Sequence, residues 1–112
     1  NKAIELSPKL IIARVRRGLT LAQAGQLEEA MHDLNFAVTT APRSFQAVYA
    51  RGKVFMQKEL WNEAINDLQR ATSINAKNPK AYRLLGDAYS RLGDQEKAIL
   101  YWEIANQCEK NA

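Results

Sequence analysis

Along AYRLLGDAYSRLG the residues Tyr82, Leu85, Gly86 and Tyr89 recur at i, i+3, i+4 and i+7, with the charged Arg83 and Asp87 among the residues between them. This spacing collects the four on one face of a helix and does not suit a strand, whose faces alternate every second residue. A second helix follows, in which Ala98, Ile99, Trp102 and Ala105 again fall at steps of three and four, with Ile104 beside them. Between the two, RLGD supplies Gly93, a residue suited to a helix C-terminus. Equivalent breaks are QAGQ around Gly25 and KELW around Glu59, the second of which does without a glycine. TTAPRS and NAKNP carry the proline and asparagine that interrupt helices. The pattern therefore predicts helix, short turn, helix, short turn.

This pattern returns with a period of 34 residues. Gly18, Gly52 and Gly86 keep that spacing, as do Ala30, Ala64 and Ala98, the series Ala3, Ala37, Ala71 and Ala105, and the pair Pro8 and Pro42. Large apolar residues share the register: Leu21, Phe55 and Tyr89 align, and so do Leu34, Leu68 and Trp102. A fixed period between about 20 and 50 residues marks stacked supersecondary units. The small columns fit a packing role, because two helices approach closely only where their facing side chains are small. Filling such a site, as in Ala64→Leu, overpacks it at a cost of about 1 to 3 kcal/mol. Small inert side chains offer no chemistry of their own, which argues against reading these columns as a ligand site.

Composition agrees with one soluble domain. The 112 residues are 46% hydrophobic and 25% charged, enough for a modest core. No apolar run approaches the roughly 20 residues that span a bilayer, so no membrane insertion is expected. The opening NKAIELSPKL lacks the basic-then-apolar order of a signal peptide, and without an initiating methionine the chain reads as part of something longer. A net charge of +4 is mildly basic and points weakly to acidic partners. The single cysteine, Cys108, cannot form an internal disulfide; this fits a reducing compartment, with the cytoplasm as the default location.

Residues able to do chemistry are scarce and scattered. His32 is the only histidine, and its place in EEAMHDL marks it as solvated rather than as a general base. Cys108 has no histidine within its repeat, so a nucleophilic role is not expected. Glu28, Glu29 and Asp33 cluster on one helix without histidine or cysteine partners, and read as a wet face rather than a metal site. There is no Gly-rich phosphate loop. The expectation is a protein that is not an enzyme and carries no cofactor or metal.

The order of residues in AYRLLGDAYSRLGDQEKAILYWEIA resembles the tetratricopeptide repeat, in which an aromatic, Leu-Gly, Tyr, Ala, an aromatic and Ala follow one another in a unit of 34. Tyr82, Leu85, Gly86, Tyr89, Ala98, Trp102 and Ala105 occupy those places in residues 79–112. Residues 45–78 match through Gly52, Phe55, Ala64, Leu68 and Ala71, but carry Val48 for the aromatic and Arg51 for the leucine. Residues 11–44 match through Gly18, Leu21, Ala30, Leu34, Ala37 and Pro42, and depart at Arg14 and Arg17. Residues 1–10 resemble the end of a preceding repeat helix. The resemblance implies an all-α, antiparallel helix-pair right-handed α-solenoid of three repeats plus a half-repeat. It also implies a protein-binding scaffold or adaptor, with the first helices lining a concave groove for another polypeptide.

By the same resemblance the groove takes the second, fifth, sixth, ninth, twelfth and thirteenth places of each repeat. An apolar lane of Ile12, Val15, Leu19, Tyr49 and Met56, with Arg16 beside it, then leads to a basic end of Lys53, Lys80, Arg83 and Arg91 opposed only by Asp87. The expected partner is a segment with apolar side chains at one end and carboxylates at the other. Chaperone-tail binders of this family use a carboxylate clamp of lysine, asparagine and arginine; here Val15, Leu19, Ala50 and Leu84 fill four of its five places and only Lys80 fits, which speaks against such tails. An alternative is that the lane faces a neighbouring part of a longer solenoid, making the repeats a spacer. Nucleic acid is the weaker option: Arg14, Arg16 and Arg17 cluster, with Lys9 and Arg43 near in sequence, but no stacking aromatic flanks them, and the shared place of Arg17 and Arg51 suggests pairing with a carboxylate. Ile99, Trp102 and Ile104 near the chain end also offer a route to self-association.

Overall fold

Six helices carry residues 8–111, the residues described by the computed structural model, and among them there is no strand. They are α1 (Pro8–Gln23), α2 (Leu27–Thr40), α3 (Phe45–Gln57), α4 (Trp61–Ile74), α5 (Pro79–Arg91) and α6 (Gln95–Lys110). The fold is an all-α helical-repeat solenoid. Each odd-numbered helix packs on the even-numbered helix that follows it, and α1 meets α3 as α3 meets α5, while the backbones of α2, α4 and α6 stay more than 8 Å apart, Cα to Cα. The first helices therefore form one layer and the second helices another. Among the described residues no helix is long and apolar enough to cross a membrane. Of the segment read as the end of a preceding helix, residues 1–7 lie outside the described residues, whereas Pro8 to Leu10 form the first turn of α1. Proline suits that place, because the missing N–H has no partner in a first turn.

Local chemistry sets the helix ends. The side chains of Ser44, Asn78 and Asp94 accept hydrogen bonds from the backbone N–H groups of Ala47, Lys80 and Lys97, capping α3, α5 and α6. Pro79, in the stretch read as a helix stop, is the first residue of α5. Within each pair the turn is the same left-handed closure. Gly25 has φ +84°, Gly93 φ +88°, and Glu59 adopts φ +61° in their place. The residue after each one donates its N–H to the carbonyl five residues back (Gln26 to Leu21, Leu60 to Phe55, Asp94 to Tyr89) at 2.9 Å, closing the helix end as a Schellman motif does. Glutamate in this conformation costs roughly 1–2 kcal/mol that glycine avoids.

The alanine columns of the 34-residue repeat lie in the core. Ala30, Ala64, Ala98, Ala37, Ala71 and Ala105 are fully buried, as are Leu34, Leu68 and Leu85. A Cβ on Gly52 would lie 3.0 Å from Leu68 Cγ and one on Gly18 would lie 2.8 Å from Leu34 Cγ, so these helix pairs cross closely, with a leucine side chain as the part that must give way to any added methyl.

Two buried carboxylates interrupt this core. Asp33 takes a two-pronged hydrogen bond from Arg17 (2.7 and 2.6 Å) and a third from Arg14 at 3.3 Å. Asp67 is held in the same way by Arg51, at 2.7 and 3.0 Å, and Arg51 also reaches Asn35 of the preceding pair at 3.2 Å. The departures at Arg17 and Arg51 are thus structural, and they pair with carboxylates as their shared place suggested. The hydrogen bond from Arg17 comes first in holding the Asp33 carboxyl below its ordinary value of 3.8, with the Arg17 and Arg14 charges assisting against burial. A depressed native value means that the unfolded chain takes up the proton first. This contribution to stability is therefore complete above about pH 4 and is lost as pH falls through the native value. Unfolding midpoints measured from pH 7 down to pH 2 will decline below about pH 4, and Arg17→Gln will flatten that decline. An unchanged acid slope in Arg17→Gln would break the link.

Candidate functional site

The face built by α1, α3 and α5 carries the predicted groove residues, and the structure sorts them unequally. Val15 is 5% exposed and belongs to the core, not to an open lane. Its position lies between α1 and its neighbours, where a β-branched apolar residue is buried. Leu19 is half-buried against the same cluster. Ile12 is 43% exposed, and with Arg16 it lines a shallow depression bordered by Lys9 and Ala13, all on α1. No residue of α3 or α5 joins them there, so the structure does not unite this part of the lane with the rest.

Arg83 also departs from expectation. Its guanidinium lies 2.9 Å from Glu109 of α6, which draws it to its own helix pair instead of leaving it an open cation. Lys80 is exposed at the start of α5. Of the arginine cluster considered for nucleic acid, Arg14 and Arg17 are committed to Asp33, and Arg14 also lies 4.2 Å over the Phe36 ring. Arg16 and Arg43 stay exposed. His32 is exposed, Glu28 pairs with Lys58 at 2.8 Å, and the described residues contain no group of three or more side chains suited to a metal.

The remaining predicted residues converge. Between α3 and α5 lies an open cleft of about 420 Å³, with Lys53, Met56 and Gln57 on one wall and Asp87, Ser90 and Arg91 on the other. Trp61, the first residue of α4, and Trp102 of α6 complete it. Tyr49 stacks on Phe45 with ring centroids 5.3 Å apart, its hydroxyl pushed up in pKa by burial, and supports the Lys53 ammonium at 5.8 Å. The Arg91 guanidinium lies 5.5 Å over the Trp61 ring. Gln57 donates to the Ala22 carbonyl at 3.0 Å, fixing the end of α3 to α1. Asp87 accepts a hydrogen bond from the Trp102 indole N–H at 3.1 Å.

Neither tryptophan was among the groove residues read from sequence. Trp102 stands in a core column, where Leu34 and Leu68 are fully buried, and Trp61 stands at a helix start. One signal was available: an indole where the other two units have leucine is too large for the same space. A Cβ on Gly86 would fall on the Trp102 indole, so the ring already fills the gap that glycine leaves. Its edge is consequently pushed out as far as the cleft.

A family model for the TPR repeat matches residues 52–93. Among curated proteins, the DnaJ homolog subfamily C member 7 homolog of Dictyostelium discoideum is 26% identical over 92 residues, and the Cell division cycle protein 27 homolog of Caenorhabditis elegans is 30% identical over 78 residues. These matches take in 79% and 70% of this chain, which spans 17% and 10% of the length of those relatives. Among solved structures, the type III secretion translocator chaperone SycD of Yersinia enterocolitica superposes with a TM-score of 0.90 at 14% identity, over 96% of this chain and 81% of that one. The first TPR of Spaghetti (RPAP3), bound to the HSP90 peptide SRMEEVD, superposes with a TM-score of 0.88 at 20% identity, over 95% and 84%. At such identities the structural likeness concerns the fold alone.

Proposed function

Since the chain belongs to the tetratricopeptide repeat family, we propose that it is a non-catalytic protein–protein interaction module, an adaptor that holds a segment of a partner polypeptide along the face of α1, α3 and α5. The observation that carries this reading is the convergence of Lys53, Met56, Asp87 and Arg91 on one open cleft of that face. Half-buried apolar surface beside cations that have no carboxylate partner among the described residues suits an extended segment or a helix that buries an apolar side chain and presents carboxylates. The scarcity of groups able to act as acid, base or nucleophile fits a binding role.

The first TPR of Spaghetti holds an acidic HSP90 peptide. In this chain two of the places expected to supply a carboxylate clamp, Val15 and Ala50, are buried at 5% and 1% exposure, so the chain is proposed to hold acidic segments differently.

Affinity capture from cell extract with quantitative mass spectrometry tests the reading. The comparison is between the unaltered chain, a groove variant (Lys53→Glu, Lys80→Glu, Arg91→Glu) and a control with Arg43→Glu and Arg70→Glu, which lie on the α2–α3 connection and α4. All three will show equal helicity by circular dichroism, and partners will be lost from the groove variant while the control keeps them. Identical partner sets for all three would refute a groove on this face and favour a spacer role.

A further inference from the structure

The cleft between α3 and α5 has a composition that narrows what it holds. The chain contains two tryptophans, and both line this cleft. Trp102 is held by its hydrogen bond to Asp87 and by its position over Gly86, so it forms a rigid part of the cleft wall. Met56 opposite adds an apolar side chain that adapts its shape to what it touches. The volume of about 420 Å³ sits low in the range of roughly 300–1,000 Å³ typical of ligand pockets, which is room for a few side chains and not for a helix.

The charges at the cleft are already oriented. Lys53 lies over Tyr49 and Arg91 over Trp61, and neither has a carboxylate partner among the described residues. Aromatic support fixes long side chains that otherwise lose entropy on binding. Ser90 accepts a hydrogen bond from Gln95 at 3.4 Å, which leaves its own O–H to donate. Asp87 is the opposing charge, and its bond to the Trp102 indole keeps it near that ring. An incoming carboxylate is thereby directed to Lys53 and Arg91 and away from Asp87.

We propose that this two-tryptophan cleft is the anchoring pocket for a polypeptide segment in which a large apolar residue adjoins an aspartate or glutamate. The apolar side chain packs on Met56 and the two indoles, and the carboxylate is received by Lys53 and Arg91. This rests on the groove reading above and names the chemistry of the partner.

The test begins with a phage-displayed library of random peptides panned on the intact chain. The most enriched sequence is then synthesised with its acidic residues intact and again with each replaced by its amide. Because both tryptophans line the cleft, intrinsic fluorescence reports its occupation directly. The expected results are enrichment of an apolar residue beside an acidic one, a shift in tryptophan emission on titration, and about tenfold weaker binding of the amide peptide and of Lys53→Glu or Arg91→Glu. Binding without a change in emission would place the peptide elsewhere on the face, overturning the anchor and leaving the groove reading intact. Equal affinity for acid and amide peptides would overturn the carboxylate assignment. A library that yields no binder would count against both.

Discussion

Replacing Arg51 by leucine lowers the unfolding free energy by about 2–4 kcal/mol, and adding Asp67→Tyr to the same chain recovers most of the loss. Arg51 is the charged partner of Asp67, whose side chain is 5% exposed, and it makes two of its hydrogen bonds there. Without the guanidinium a carboxylate is left inside the fold with no counter-charge, which is the costly way to break a buried pair. The third helix pair shows the apolar solution at the same two positions. Leu85 stands where Arg17 and Arg51 stand, and Tyr101 stands where Asp33 and Asp67 stand. Leu85 is fully buried, and Tyr101 stacks on Tyr89 with centroids 5.6 Å apart. Phe55 occupies the place of Tyr89 in the second pair, so a tyrosine at 67 has a ring to meet. Urea denaturation followed by circular dichroism measures both steps. A double variant no more stable than Arg51→Leu would mean that the two pairs do not share a packing geometry.

Gly86→Ala will destabilise the chain by about 1–2 kcal/mol, whereas Gly52→Ala will leave stability nearly unchanged. Both substitutions gain about 0.8–1 kcal/mol of helix propensity, so the difference lies in what the new methyl meets. At Gly52 it meets the branched end of Leu68 at 3.0 and 3.1 Å, which can tilt aside. At Gly86 it meets a fused ring that is hydrogen-bonded to Asp87, with the Ala98 carbonyl oxygen 3.0 Å away on the backbone. The indole must move, and tryptophan emission will move with it. Equal urea midpoints for the two variants, or an unaltered emission spectrum in Gly86→Ala, would show that the ring is not held as described.

Much of this architecture was legible because it is local. Three- and four-residue apolar spacing determined the helices, and the 34-residue return of small residues determined where those helices cross. The turn at Glu59 was readable from its register with Gly25 and Gly93, and the backbone takes a positive φ at all three. Proline was less informative: Pro8 and Pro79 open helices, because the first turn tolerates the residue that the interior rejects.

The groove was legible only in part. Register assigns a residue to a face of its helix, but not to what lies across from that face. Val15 and Met56 are both apolar and occupy equivalent kinds of position, yet the core closes over the first and a cleft opens beside the second. Arg83 and Arg91 are cations eight residues apart on one helix, and only the fold decides that Glu109 lies within reach of Arg83 while Trp61 lies beneath Arg91. Trp102 occupies a core column, and its emergence at the cleft follows from an indole too large for the space that leucine fills over glycine. The order of residues alone establishes the repeat, the helix pairs, the tight crossings and the expectation that Arg17 and Arg51 meet a carboxylate, but not that Asp33, read as part of a wet face, is buried as the partner of Arg17. Which charges are neutralised and which apolar residues face solvent follows from contacts between helices, which the chain's local periodicity does not encode.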